Sequence, residues 1–176
     1  DLLLQFQPKH ISLYILNARS KYPHVQAMPD DEFIREEYLL VSEYLRSKGF
    51  LHYEVSNFAL PGFEAKHNVR YWRGEAVAAL GPTGTGYLPK NETEALRYKW
   101  KVSKAEAELE VLGLKEIEME QMYLSLRTNH GWKPKILTPK ISSVFAEWEK
   151  IGYGSLKGGK MVLNSLGFVM LDSLMD

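Results

Sequence analysis

The chain contains no cysteine. That absence excludes disulfides, thiolate zinc sites, a cysteine nucleophile and any iron–sulfur cluster held by thiolates of these residues. A dominant charge is also missing, since 22 basic and 22 acidic side chains cancel. No global field therefore draws the chain toward nucleic acid or anionic lipid. No apolar run approaches the roughly 20 residues that span a bilayer, so no integral membrane segment is expected. The opening D-L-L-L-Q-F-Q-P-K has neither a basic n-region nor a small-residue cleavage site, and does not read as a signal peptide. It also lacks an initiator methionine, and the chain is expected to begin inside a longer, cytoplasmic protein. Catalytic signatures are absent too: there is no Walker A loop, no G-x-G-x-x-G and no G-x-S-x-G elbow. His10, His24, His52 and His130 form no H-x-x-x-H pair, so no protein zinc site is expected. The carboxylates of E-A-E-L-E and E-I-E-M-E read as solvated faces, and no catalytic residue is assigned.

What is present describes a foldable chain. Its 176 residues are 45% hydrophobic and 25% charged, enough to bury a core in one domain, or in part of one plus a small second unit. I-S-L-Y-I-L (11–16) predicts a buried strand. After Pro23 and Pro29, Asp30 or Asp31 offers an N-cap, and Ile34, Tyr38, Val41 and Leu45 recur at helical spacing up to a Gly49 stop. L-H-Y-E-V-S-N-F (51–58) predicts a second strand. Strand, helix and strand in that order predict a βαβ unit with parallel strands, hence an α/β fold. Further on, R-Y-K-W-K reads as a short strand and A-E-A-E-L-E-V-L as a helix capped by Ser103. Ile117, Met119, Met122, Tyr123 and Leu126 make a helical stripe, and Pro139 opens another helix. A hairpin with a Gly-Gly turn and an apolar helix close the chain. Helices followed by a two-stranded wing are similar to a winged-helix module. The boundary is placed near residue 90, dividing the chain into 1–90 and 91–176.

Chemistry concentrates in the first unit. Phe50, Tyr53, Phe58, Phe63, Tyr71 and Trp72 crowd residues 50–72 at about twice the density of an even spread. Such a cluster suits a core, which is its ordinary reading, or the wall of a planar ligand's pocket. His67 follows the loop P-G-F-E-A-K; its imidazole suits iron ligation or a structural hydrogen bond. Asn68 could cap a short helix. The glycines of G-P-T-G-T-G (81–86) permit a tight turn or close backbone approach to a ligand. Glu54, inside an apolar strand, suits either a pocket or a strand edge. Lysines 133, 135, 140, 150, 157 and 160 gather around the wing, where a nucleic-acid-binding winged helix would want them, but solvated surface is their ordinary reading.

In order, H-I-S-L-Y-I-L, Y-E-V-S-N-F-A-L-P-G, H-N-V-R-Y-W-R-G and L-G-P-T-G-T-G resemble oxygen-independent coproporphyrinogen III oxidase and its relatives. H-N-x-x-Y-W is similar to that family's heme-chaperone branch, and L-R-T-N-H-G with the wing–helix ending resembles its C-terminal domain. The resemblance implies a radical S-adenosylmethionine (SAM) protein on a partial (β/α) barrel, with a [4Fe-4S] cluster held by a C-x-x-x-C-x-x-C motif. That motif is absent here, so the chain is expected to be the last βα units of such a barrel (1–90) followed by a small α+β winged-helix-like domain (91–176). It would be inactive alone. The resemblance further implies heme or porphyrin as ligand and heme-accepting proteins as partners, with no nucleic acid. It places His67 on heme iron, supported by Asn68, Tyr71 and Trp72, and Asn17 and Thr85 on the SAM side. Relatives tend to show G-P-G-A where this chain has G-P-T-G, and Ala79 replaces a usual glycine. The rival readings are part of the decarboxylating oxidase itself, and a winged-helix nucleic-acid-binding module.

Overall fold

Asp30 starts the longest helix. Its carboxylate accepts the Phe33 N–H at 2.8 Å, and Asp31 and Glu32 occupy the first turn, where the helix dipole favours negative charge. Helix α1 (Asp31–Ser47) buries Tyr38, Ser42 and Leu45 along one stripe. It ends in a Schellman motif: Gly49 N–H donates to Arg46 O, Phe50 N–H donates to Leu45 O, and Gly49 takes φ +87°. The computed structural model describes residues 2–16, 22–103 and 105–175. Asn17 lies outside the described residues.

Strands β1 (His10–Ser12), β2 (Leu51–Glu54) and β3 (Asn57–Ala59) form a three-stranded sheet in the order β1-β3-β2, antiparallel throughout. The expected parallel pairing of 11–16 with 51–58 is therefore not made. β1 and β2 do run in the same direction, but β3 lies between them. The cause sits at Glu54, whose side chain accepts the Ser56 N–H and the Asn57 side-chain amide. These bonds reverse the chain at Val55–Ser56 and break the expected strand into a hairpin. The end of the next long helix clamps this turn, with Val55 N–H donating to Arg127 O at 2.9 Å. β1 is also shorter than expected, ending at Ser12.

After α2 (Lys66–Trp72), a second antiparallel sheet runs β4 (Thr85–Pro89), β5 (Glu94–Trp100) and β6 (Ala107–Gly113). Residue 90 falls in the connection between β4 and β5. β6 replaces the helix expected over A-E-A-E-L-E-V-L, and Ser103 caps nothing there. Pairing along all of β5, plus burial of Leu112 against Ala95 and Ile117, overrides the helical preference of Ala, Glu and Leu. One face of this sheet packs on α3 (Leu114–Leu126). The other carries Leu88, Leu96 and Val111 in cross-strand register, with Leu109 opposite Tyr98 beside them; Leu109 and Val111 are about two-thirds exposed.

In α3 the expected stripe is only partly the buried one: Ile117 and Leu126 are buried along with Leu124, while Met119 is exposed. Thr138 caps α4 (Pro139–Lys150), with Pro139 in its first turn. Strands β7 (Gly154–Lys157) and β8 (Lys160–Leu163) form the expected hairpin, whose turn Gly158–Gly159 takes positive φ at both residues. Helix α5 (Ser165–Met175) follows. Leu126, Phe145, Met161, Leu163, Phe168 and Leu171 pack into one core that also takes Tyr38 from α1. The two ends of the chain thus share a core. Every strand pairing among the described residues is antiparallel, so the structure is a mixed α/β arrangement of small sheets and five α-helices.

Candidate functional site

Tyr53 organises the region. Its ring is buried in β2, and its hydroxyl shares a 2.9 Å hydrogen bond with His10 Nε2 of β1. The same oxygen accepts the Ala65 N–H at 3.3 Å, which occupies a free donor at the start of α2. Asn68 faces this phenol too; burial pushes the Tyr53 pKa up while these hydrogen bonds oppose the shift. Asn68 is therefore an internal anchor of α2. The cap it was offered for is not made, because the helix begins at Lys66 after Ala65.

Helical geometry then divides H-N-x-x-Y-W between faces. His67 and Tyr71, four residues apart, share an exposed face. Asn68 and Trp72 turn inward. Lys66, Val69, Arg70 and Arg73 line a cleft of about 720 Å³, which also takes in Tyr53, Trp72, the carboxylates of Glu64 and Glu75, and the turn 128–131. His67 is not part of that wall; the histidine in it is His130. The Tyr71 and Trp72 rings meet edge to face at 5.2 Å. The indole N–H of Trp72 is buried and has no acceptor.

The turn carrying His130 is held on both sides. Asn129 N–H donates to Tyr53 O at 3.0 Å, and Gly131 N–H donates to Thr128 O at 3.1 Å. The buried Thr128 hydroxyl oxygen accepts the His130 N–H at 3.2 Å. Gly131 takes φ +66° with its α-carbon pressed against the Met161 carbonyl, a place for glycine alone. His130 carries no metal-ligand spacing in the sequence. The usable signal is T-N-H-G, a turn that holds the backbone beneath an exposed imidazole.

Other candidates fall elsewhere. Thr85 opens β4, exposed and paired with Lys99, away from the cleft. In the glycine-rich loop, Gly84 N–H donates to Gly81 O and Thr83 N–H to Trp100 O, so the loop is a turn tied to β5. Gly86 makes its close approach to the Tyr98 ring. Thr83 takes φ +65°, the left-handed conformation that favours glycine. Glu54 is fully buried and outside the cleft wall; desolvation raises its pKa against the Asn57 and Ser56 hydrogen bonds.

The chain has no cysteine to hold an iron–sulfur cluster, and among the described residues no three His, Asp or Glu side chains converge as a metal site. An exposed imidazole on α2, and another in a cleft within the roughly 300–1,000 Å³ typical of cofactor sites, do fit a heme. No described helix is long and apolar enough to cross a membrane.

Comparison with known proteins bears on this chemistry. The chain is 32% identical to heme chaperone HemW of Lactococcus lactis over 172 residues, which is 88% of this chain and 43% of that protein. It is 37% identical to heme chaperone HemW of Mycobacterium tuberculosis over 95 residues, covering 50% of this chain and 24% of that protein. A zebrafish (Danio rerio) protein, radical S-adenosyl methionine domain-containing protein 1, mitochondrial, is 34% identical over 98 residues, 51% of this chain and 22% of its own length. The chain thus spans less than half the length of these relatives. No family model and no solved structure matches it. The chain is a homologue of the proteins named heme chaperone HemW, similar to them over half to most of its own length, as a C-terminal stretch of a HemN/HemW-like protein would be.

Proposed function

We propose that the chain is the C-terminal, heme-contacting part of a cytoplasmic radical-SAM-type heme chaperone. In this reading, residues 1–90 close the barrel of the intact protein and 91–176 form its winged-helix-like accessory unit. One observation carries it: His67 and Tyr71 of the H-N-x-x-Y-W element share an exposed face of α2. The neutral imidazole of His67 would hold heme iron through a nitrogen lone pair, and the Tyr71 ring one turn away would offer an aromatic surface to the porphyrin. Asn68 and Trp72 hold the helix from its inner side. An exposed ligand suits delivery, since a heme held at an open contact leaves without disrupting the fold. The names of the relatives support heme as the cargo.

SAM and a [4Fe-4S] cluster would belong to the intact parent, where the cluster would supply one-electron chemistry. Asn17 and Thr85 are this chain's contribution on the SAM side. Heme-accepting proteins are the partners the reading requires.

Titrating the chain with hemin tests the proposal. Saturable binding with a histidine-type Soret band is expected, and His67→Ala should lower the number of histidine-ligated hemins per chain. A chain that binds no hemin at micromolar concentration refutes the reading. The oxidase alternative differs at the product: the intact protein would release CO₂ and a decarboxylated porphyrinogen, and a chaperone releases neither.

A further inference from the structure

We infer that the cleft between α2 and the turn 128–131 is a second porphyrin-contact site, independent of His67, in which His130 meets the metal and Arg70 and Arg73 meet the ring's carboxylates. The inference rests on the heme reading above and adds a walled contact to the open one.

Four observations lead to it. The cleft lies on the face of α2 opposite His67, so the two imidazoles are separated by the helix. His130 stands on a turn whose backbone is held by Thr128, Tyr53 and the Gly131–Met161 contact, so little loop ordering remains to be lost when a ligand arrives. Arg70 and Arg73 reach the rim and both lean on Glu75, at 3.7 and 3.9 Å. Pairs that long and exposed hold their cations weakly and leave them open to exchange for a ligand carboxylate, which a guanidinium takes in bidentate geometry. The buried Trp72 N–H still lacks an acceptor, and its indole offers a flat wall to a ring. The combination of an imidazole, a flat aromatic wall and rim cations selects a planar, metal-bearing, carboxylated macrocycle over a neutral or purely apolar ligand.

The test is a hemin titration of the full chain and of His67→Ala, His130→Ala and the double variant, read by Soret position, affinity and stoichiometry. His67→Ala should retain one hemin, and adding His130→Ala should weaken that remaining binding at least tenfold. A far-UV circular dichroism spectrum and urea midpoint in the double variant that match the parent chain separate a lost ligand from a lost fold. Hemin dimethyl ester, whose carboxylates are masked, should bind His67→Ala at least tenfold more weakly than hemin does. If His67→Ala alone abolishes binding, or His130→Ala changes nothing in either background, the cleft is not a porphyrin site and the heme reading survives. If the unmodified chain binds no hemin, both fall.

Discussion

The Tyr53 hydroxyl lies 2.9 Å from His10 Nε2, joining β1 to β2 across the intervening strand β3. Because the same oxygen accepts the Ala65 N–H, one phenol ties the sheet to the start of α2. Tyr53→Phe keeps the ring and removes the bonds to His10, Ala65 and Asn68. It should lower stability by about 1–2 kcal/mol in urea unfolding and speed amide exchange in α2. Unchanged exchange there would show that α2 is held by its other contacts alone.

His52 makes stability depend on pH. It stacks on Phe58 with ring centroids 4.1 Å apart. Tyr38 donates to Val55 O, so its hydroxyl accepts from His52 Nε2, while Ser42 and Ser165 face Nδ1. Burial lowers its pKa to about 4, with the Arg46 charge adding to the shift. Between pH 4 and the ordinary value of 6.5 the unfolded chain binds more protons than the folded one. Stability is therefore full above about pH 6.5 and falls as pH drops toward 4, by up to about 3 kcal/mol. Glu54 works in the opposite sense: its folded pKa is raised, so its contribution weakens as pH rises above 4.5. Urea midpoints at pH 4.5 and 7 should differ clearly in the parent chain. In His52→Leu the difference should shrink or reverse, and a persisting acid loss would assign the pH dependence to another group.

Thr83 is a β-branched residue held at φ +65°. The left-handed conformation costs an L-residue about 1–2 kcal/mol, offset in part by glycine's larger unfolded-state entropy. Thr83→Gly should therefore raise stability by about 1 kcal/mol, a melting shift of about 2–4 °C for a chain of this size. A lower melting temperature would mean that the threonine side chain stabilises the loop by more than its backbone strain.

Gly131 tests the platform under His130. An added methyl group would clash with the Met161 carbonyl at a backbone angle that disfavours side chains. Gly131→Ala should lower stability by about 2–3 kcal/mol and broaden or shift the His130 imidazole resonances. Unshifted His130 resonances would show that the turn does not depend on this close contact.

Local signals in the chain carried a large part of this structure. Asp30, the spacing from Ile34 to Leu45 and Gly49 define α1, because caps and stops act through bonds within a few residues. Pro139, and Gly158 with Gly159, were legible for the same reason. The cluster around H-N-V-R-Y-W was legible as chemistry, though not as geometry. Strand partners were not. Y-E-V-S-N-F carries the same alternation as one strand or as a hairpin, and the choice rests on Glu54 bonding forward to Ser56 and Asn57, and on Arg127 clamping the turn from 72 residues away in sequence. β6 reads locally as a helix and becomes a strand because β5 offers it a complete edge. The cleft depended on tertiary structure most of all. Its walls join Tyr53, Trp72 and His130, which no spacing rule connects, and a rotation of 100° per residue decides that His67 points away from it while Trp72 does not.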